Sequence, residues 1–250
     1  IGELMAGMKE VSDNIAHDLK SPLTRLRNRA EEALRTARTP DELRAALEGA
    51  LEESDNLIRI FNALLMIARL EAGNAREAKA DFDAAEAARG VAELYEAAAE
   101  EAGVPIEVAV EGELPVHGNR ELLGQALANL IDNAVKYGAP ETSAGPPQPV
   151  TVSAVRRGDE AVIVVADRGP GIPEADRGRV LDRFVRLESA RTRPGFGLGL
   201  SLAAAVARLH GGALRLEDNA PGLKAVLTLP LAPRPGQPPA GASLAPSGLV

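Results

Sequence analysis

His17 is followed at once by a carboxylate in the stretch Ile15-Ala16-His17-Asp18-Leu19-Lys20-Ser21-Pro22-Leu23-Thr24. An imidazole beside a carboxylate is a usable nucleophile, because Asp18 can hold Nδ1–H and leave the Nε2 lone pair pointing outward. Ser21, four residues on, shares the His17 face of a helix. A second group is Asn129, Asn133, Lys136 and Tyr137. Asn133 and Tyr137 follow Asn129 in steps of four and Lys136 lies three beyond Asn133, so all line one helical face. Asn133 offers a neutral oxygen suited to Mg²⁺, a hard ion that takes few protein ligands besides phosphate and water. Lys136 can neutralise phosphate, and Tyr137 can lie against a base.

Two glycine-rich stretches complete the set. Asp167-Arg168-Gly169-Pro170-Gly171-Ile172 directly follows an apolar run. Gly169 and Gly171 let backbone approach a ligand closely, Asp167 can accept from an adenine amino group, and Ile172 can give apolar cover. Gly195-Phe196-Gly197-Leu198-Gly199-Leu200-Ser201 runs into a helical pattern. Backbone N–H groups at such a helix start make an anion site. No Gly-Lys-Ser/Thr follows, so this is not the Walker pattern. Each group taken singly has a plainer reading: an ordinary surface histidine, a polar helix face under a loop, a tight turn closing a strand, a lone glycine repeat.

The elements that must position these residues follow from periodicity. Apolar residues at Ile1, Leu4, Met5, Met8, Val11, Ile15, Leu19, Leu23, Leu26, Ala30, Ala33 and Leu34 step by threes and fours. That is one helical stripe over 1–37, with His17 off it and facing outward, and with a kink at Pro22. Thr39-Pro40-Asp41-Glu42 starts a second helix: Thr39 as N-cap, Pro40 at the first helical position, Glu42 completing a capping box. Its stripe runs from Leu43 to Ala68, and Gly73 and Asn74 stop it. Two helices with a short connection form an antiparallel hairpin. Two copies packing as a four-helix bundle bury what one hairpin cannot; the alternative is a monomer whose hairpin docks on the rest of the chain.

Residues 74–81 are polar and aperiodic and read as a linker. Beyond it the sequence predicts a helix over 83–102, strands over 106–110 and 114–118, a helix over 120–137, and a loop over 138–149. A hairpin over 150–166, a stretch of loop and short helix over 172–193, a helix over 201–210 and strands over 213–217 and 225–229 follow. From Ala232 onward Pro, Gly, Ala and Ser dominate, which predicts a disordered tail. The fold class is α+β: a helical hairpin, then a sandwich with helices on one face of a sheet.

Composition narrows the chemistry. Hydrophobic residues are 45% of the 250, but aromatics only 2%, so the core must be aliphatic and Ala-rich. The absence of Cys excludes a disulfide frame and thiolate metal sites. His17, His117 and His210 lie too far apart in sequence to have metal-ligand spacing. A formal charge of −8 argues against a nucleic-acid partner. No run approaches the roughly 18 apolar residues of a membrane span, and no signal peptide is visible. The opening Ile1-Gly2-Glu3-Leu4 starts in mid-helix. The expectation is therefore a cytoplasmic C-terminal part of a longer protein, with the sensor and any membrane attachment in an absent upstream segment.

His17-Asp18-Leu19-Lys20-Ser21-Pro22-Leu23-Thr24 resembles the phospho-acceptor box of the sensor histidine kinases of two-component systems. The family usually has Arg and Thr where this chain has Lys20 and Ser21; Lys20 keeps the charge, and Ser21 keeps a hydroxyl at a position the family uses in removing phosphate from its partner. The stretches 129–137, 167–172 and 195–201 are similar, in that order, to the N, G1 and G2 boxes of the family's ATP-binding domain. Val180-Leu181-Asp182-Arg183-Phe184-Val185-Arg186-Leu187 looks like its F box. The resemblance covers the chain to about residue 230. It implies a dimerisation and phosphotransfer domain over 1–73, joined by the linker to a Bergerat-type ATP-binding sandwich over 82–231, with a lid over roughly 186–196. It also implies ATP and Mg²⁺ as cofactors, with ATP held by the box residues, Phe184 included. A homodimer is implied, with His17 phosphorylated, Asp18 orienting and deprotonating it, and an aspartate of a response regulator as final acceptor.

Relatives of this ATP-binding fold that hydrolyse ATP carry a Glu one turn before the magnesium Asn, where this chain has Asn129. The γ-phosphoryl then needs an acceptor other than water, and His17 is the candidate. The rivals are a clamp-type ATPase, a catalytically idle dimeric module and a serine protein kinase of the same ATP fold, which lacks the hairpin.

Overall fold

The fold is described from a computed structural model, over residues 23–24, 26–71, 79–138, 148–183, 185–187 and 197–233. His17, Asp18, Ser21, Phe184 and Gly195, most of the linker, the lid and the tail from 234 lie outside those residues. The chain divides into two compact units, Ile1–Glu77 with Ile172–Leu209 and Ala78–Gly171 with His210–Val250.

In the first unit, α1 (26–36) ends with Ala37 N–H bonded to the Ala33 carbonyl at 3.0 Å. α2 (Pro40–Glu71) starts where the capping box predicts. Glu42 N donates to Thr39 Oγ1 at 3.2 Å, and Thr39 N donates to Glu42 Oε2 at 3.2 Å. The two helices are neighbours, with Arg29 Nη1 donating to the Gly49 carbonyl at 3.5 Å. Leu34, Leu43, Leu47, Leu51, Ile58 and Phe61 are all exposed in the single chain. The same unit holds α5 (Glu174–Arg177), a 3₁₀ turn (Arg179–Leu181) and α6 (Gly199–Leu209), which packs on α2 and the 3₁₀ turn.

The second unit is a two-layer sandwich. Its five-stranded sheet has the order β2-β4-β5-β7-β6, from β2 (Ile106–Val110), β4 (Val150–Arg157), β5 (Glu160–Ala166), β6 (Ala213–Asp218) and β7 (Leu223–Pro230). β2 lies parallel to β4, and the other pairs are antiparallel. α3 (Ala84–Glu101) and α4 (Arg120–Tyr137) pack on each other and on this sheet. The buried rows alternate on β4 (Val150, Val152 and Ala154) and β7 (Ala225, Leu227 and Leu229), and β5 buries Ala161, Ile163 and Val165 in the same row with Val162 from its other face. α4 contributes Leu123, Leu127, Leu130 and Ile131, and α3 contributes Ala84, Ala85, Ala88 and Ala92. This is the aliphatic, Ala-rich core that the composition requires.

In this unit one strand departs from the sequence expectation. β1 (Ala80–Asp83) pairs antiparallel with β3 (Pro115–Gly118), so the residues at the end of the expected linker, Ala80 and Asp81, are in a strand. A four-residue strand bearing two aspartates has too few apolar positions to show a period. Asp83 ends this strand and caps α3, its Oδ1 accepting from Ala85 N at 2.9 Å and from Leu114 N at 2.8 Å. The end of β7 is tied down by Leu231 N to the Asp159 carbonyl and Ala232 N to the Pro115 carbonyl.

Candidate functional site

α4 is fixed at its start by Asn119, whose Oδ1 accepts from Leu122 N at 3.0 Å. The same residue's N–H donates to Nε2 of buried His210 at 3.0 Å. With the Leu123–Leu127–Leu130–Ile131 stripe turned to the core, Asn129, Asn133 and Tyr137 come out half-buried and Lys136 exposed. Lys136 is engaged by Asp132, one turn earlier, at 2.6 Å. Asp132 also acts across to α3: burial, and secondarily the Asp132 charge, push the Tyr95 hydroxyl pKa up.

β5 runs out at Ala166, and Asp167 is buried at 7% exposure. Its Oδ1 accepts twice, from Gly169 N at 2.9 Å and from Leu223 N at 3.2 Å. Its backbone is gripped as well. Asp167 N donates to the Leu223 carbonyl at 2.9 Å, and the Asp167 carbonyl accepts from Asn219 Nδ2 at 2.6 Å. Burial raises the carboxyl pKa, and the N–H groups of Gly169 and Leu223 work against that rise. Among the described residues no donor reaches Oδ2. A carboxylate with one oxygen saturated by its own backbone and the other open is built to accept from one more donor, such as the exocyclic amine of a purine.

The glycines around Asp167 also permit close approaches within the protein itself. A Cβ on Gly169 would lie 2.1 Å from the Tyr137 carbonyl oxygen, and one on Gly138 would lie 2.2 Å from the Ala134 carbonyl oxygen and 2.9 Å from Asp167 Cβ. Gly171, at φ +71°, would put a Cβ 2.7 Å from the Gly222 carbonyl oxygen. These close approaches are to the protein's own atoms, most of them backbone. They press the end of α4 against the Asp167 turn, with the Tyr137 carbonyl against Gly169 and Gly138 against Asp167.

The remaining predicted residues belong to the other unit. The Ile172 carbonyl accepts from Arg177 Nε at 2.9 Å. Gly197 has φ +71°. Leu198 is buried, and its carbonyl accepts from Leu202 N at 2.9 Å and Ser201 Oγ at 3.0 Å. α6 therefore starts at Gly199, two residues before the predicted start. Gly199 and Leu200 occupy its first turn, where backbone N–H groups have no partner within the helix.

Sequence reasoning does not single out Asp132, Asn219, Gly222 or His210. The Asp132–Lys136 pair is readable as an i, i+4 ion pair. The other three act over separations that no local pattern reveals. Among the described residues no group of three His, Cys, Asp or Glu could hold a metal ion, and no helix is long and apolar enough to cross a membrane.

Comparison with known proteins bears on these units directly. Residues 8–73 match the His Kinase A (phospho-acceptor) domain family. Residues 118–233 match the histidine kinase-, DNA gyrase B-, and HSP90-like ATPase family. The solved mycobacterial sensor histidine kinase MprB is 33% identical, with a TM-score of 0.53 over 62% of this chain and 98% of that one. The chain belongs to the two-component sensor histidine kinases. Sensor protein IrlS of Burkholderia pseudomallei is 34% identical over 221 residues, 88% of this chain and 46% of that protein. The full-length kinase ShkA, solved in complex with AMPPNP, is 28% identical with a TM-score of 0.64, covering 88% of this chain and 46% of that one. The chain thus spans about half the length of the curated relatives it matches. As in other histidine kinases, a phospho-acceptor segment precedes an ATP-binding domain, and the Asp167 turn and α4 lie within the latter.

Proposed function

We propose that this protein transfers the γ-phosphoryl group of ATP to His17 and passes it on to an aspartate of a response-regulator receiver domain. The observation that carries the reading is Asp167: a buried carboxylate at a strand end, pinned through Oδ1, with no donor on Oδ2 among the described residues, its turn packed against the end of α4, inside a segment of the ATPase family. In this reading Oδ2 accepts from the adenine amine and Tyr137 lies against the base. The roles that the family resemblance implies are base binding for Gly169, Gly171, Ile172 and Phe184, and backbone N–H groups and apolar cover toward the nucleotide for Gly195, Gly197, Leu198, Gly199 and Leu200. Lys136 turns from Asp132 to the phosphates.

The donor set suits a nucleotide-borne Mg²⁺. Asn133 offers one neutral oxygen on a half-buried face, and no acidic cluster competes for the ion among the described residues. Held by Asn133, the ion would neutralise phosphate charge; everything else falls to the chain's own groups. Phosphoryl transfer is mostly positioning and charge neutralisation, so the acceptor decides the outcome. Asn129 cannot act as a general base for water, which disfavours hydrolysis. Asp18 would hold the His17 ring and take its proton, and the exposed Leu34–Phe61 stripe supports pairing of two hairpins as a homodimer.

Incubation with γ-labelled ATP and Mg²⁺, comparing wild type with His17→Ala, tests the reading. Retained label should be acid-labile, base-stable and absent from the variant. ATP binding without label in wild type, or equal label in His17→Ala, overturns it.

A further inference from the structure

The turn between β6 and β7, Asn219-Ala220-Pro221-Gly222, lies more than 50 residues after Asp167, yet its contacts converge on that residue. Asn219 Nδ2 donates to the Asp167 carbonyl at 2.6 Å. The Asn219 carbonyl accepts in return from Arg168 Nη1 at 3.2 Å. The turn closes on itself through Asn219 N to the Gly222 carbonyl at 3.2 Å. Gly222, at φ +114°, has the Asp167 carbonyl oxygen where its Cβ would be, at 1.9 Å, so turn and aspartate are in backbone contact. Leu223, the next residue, holds both Asp167 N and Asp167 Oδ1. Of the hydrogen bonds that fix Asp167, only the one from Gly169 arises within its own turn.

We propose that Asn219 is a positioning residue for Asp167, and that by fixing the peptide of Asp167 it sets the preference for 6-aminopurine over 6-oxopurine nucleotides. The reasoning rests on Asp167 being the base-reading residue of the proposed ATP site. A carboxylate oxygen reads an amine only if it stands in line with the N–H. Hydrogen-bond strength falls steeply as that angle closes. Among the described residues no donor restrains Oδ2, so its direction is inherited from Oδ1 and from the Asp167 backbone. The Asn219 amide is the one side-chain donor on that backbone among the described residues. Removing it frees the peptide to rotate about the β5 exit while leaving the base-stacking and phosphate groups in place.

The test is equilibrium binding of ATP and of inosine triphosphate, which carries an oxo group in place of the amine, to the full chain. Wild type, Asn219→Asp and Asp167→Ala are compared. Asn219→Asp keeps the shape but replaces the donor with an acceptor facing a carbonyl. Its ATP-to-inosine-triphosphate preference should fall by about tenfold, the worth of roughly one hydrogen bond, with inosine triphosphate affinity nearly unchanged. A purely structural role would lower the bindable fraction or the melting temperature but leave that ratio alone. An unchanged ratio in folded Asn219→Asp overturns the proposal. If that variant does not fold, Asn219→Ser, which shortens the donor, takes its place: a fall in the same ratio supports the proposal, and an unchanged ratio overturns it. Equal ATP affinity in wild type and Asp167→Ala would instead overturn the ATP-site reading itself, and this inference with it.

Discussion

Replacing Asp167 by Asn should move affinity and stability in opposite directions. The amide oxygen takes the Oδ1 position, because the N–H groups of Gly169 and Leu223 already point there at 2.9 and 3.2 Å. The NH₂ group then occupies the Oδ2 position and presents a donor to the donor amine of adenine. Losing one hydrogen bond to a charged acceptor costs about 1.5–3 kcal/mol, so ATP affinity should fall about 10- to 150-fold. Stability follows the other sign. Burial raises the Asp167 pKa in the folded state, so between the unfolded and folded values the folded protein binds more protons. Stability then declines as pH rises through that window and recovers as pH falls below it. At neutral pH the wild type carries this desolvated charge, while Asp167→Asn does not and keeps both accepted hydrogen bonds. The variant should therefore melt higher than wild type at neutral pH without nucleotide, and the gap should close as pH drops to about the ordinary Asp value near 4. Thermal melts across that range and ATP titration check both halves. A variant that melts lower at neutral pH, or a gap independent of pH, would refute the assignment of burial as the dominant influence on this carboxyl. Unchanged ATP affinity would refute Oδ2 as the reader of the base.

Three further substitutions test the scaffold. Gly169→Ala puts a Cβ 2.1 Å from the Tyr137 carbonyl oxygen, a backbone atom that cannot swing aside; overpacking of this kind costs about 1–3 kcal/mol, to be read as a lower denaturation midpoint together with weakened ATP binding. His210→Leu leaves the Asn119 N–H without its 3.0 Å acceptor, a loss of roughly 1–3 kcal/mol that should show as faster hydrogen exchange at the Asn119 amide. Thr39→Ala removes the capping oxygen of α2 and should cost about 0.5–2 kcal/mol against a few tenths for Thr39→Gly; equal melting temperatures for the two would show that the cap contributes nothing.

Where structure is set by near neighbours, residue types along the chain are enough. The Thr39–Glu42 capping box forms as its residue types predict. α4 runs over the predicted residues because Asn119 starts it, the leucine stripe sustains it and Gly138 allows it to end against a neighbouring backbone. The hairpin over 150–166 is legible because an alternating run and an apolar, β-branched run flank a turn at Gly158 and Asp159. β1 is not, since its pairing with β3 is made across the whole of α3 and its own residues are half acidic. The early start of α6 escapes because Gly199 is a poor helix former by propensity, and the buried Leu198 carbonyl that anchors the first turn has no local signature.

The glycines show why a stretch can be legible as a site while its mechanics are not. Gly169 and Gly171 fall in the stretch expected to read a purine, but the atoms that crowd a side chain there belong to Tyr137 and Gly222, which the fold delivers from α4 and the β6–β7 turn. The direction of Asp167 Oδ2 is thus a property of three segments that meet, and one of them, the β6–β7 turn, contains no recognisable stretch. Side chains added at Gly169 or Gly171 strain backbone against backbone and should register first as lost stability. Substitutions at Asn219 leave the packing intact and loosen one restraint, so they should register first as lost base preference. That division between what unfolds the turn and what re-aims it follows from where the contacts lie, and residue types along the chain do not reveal it.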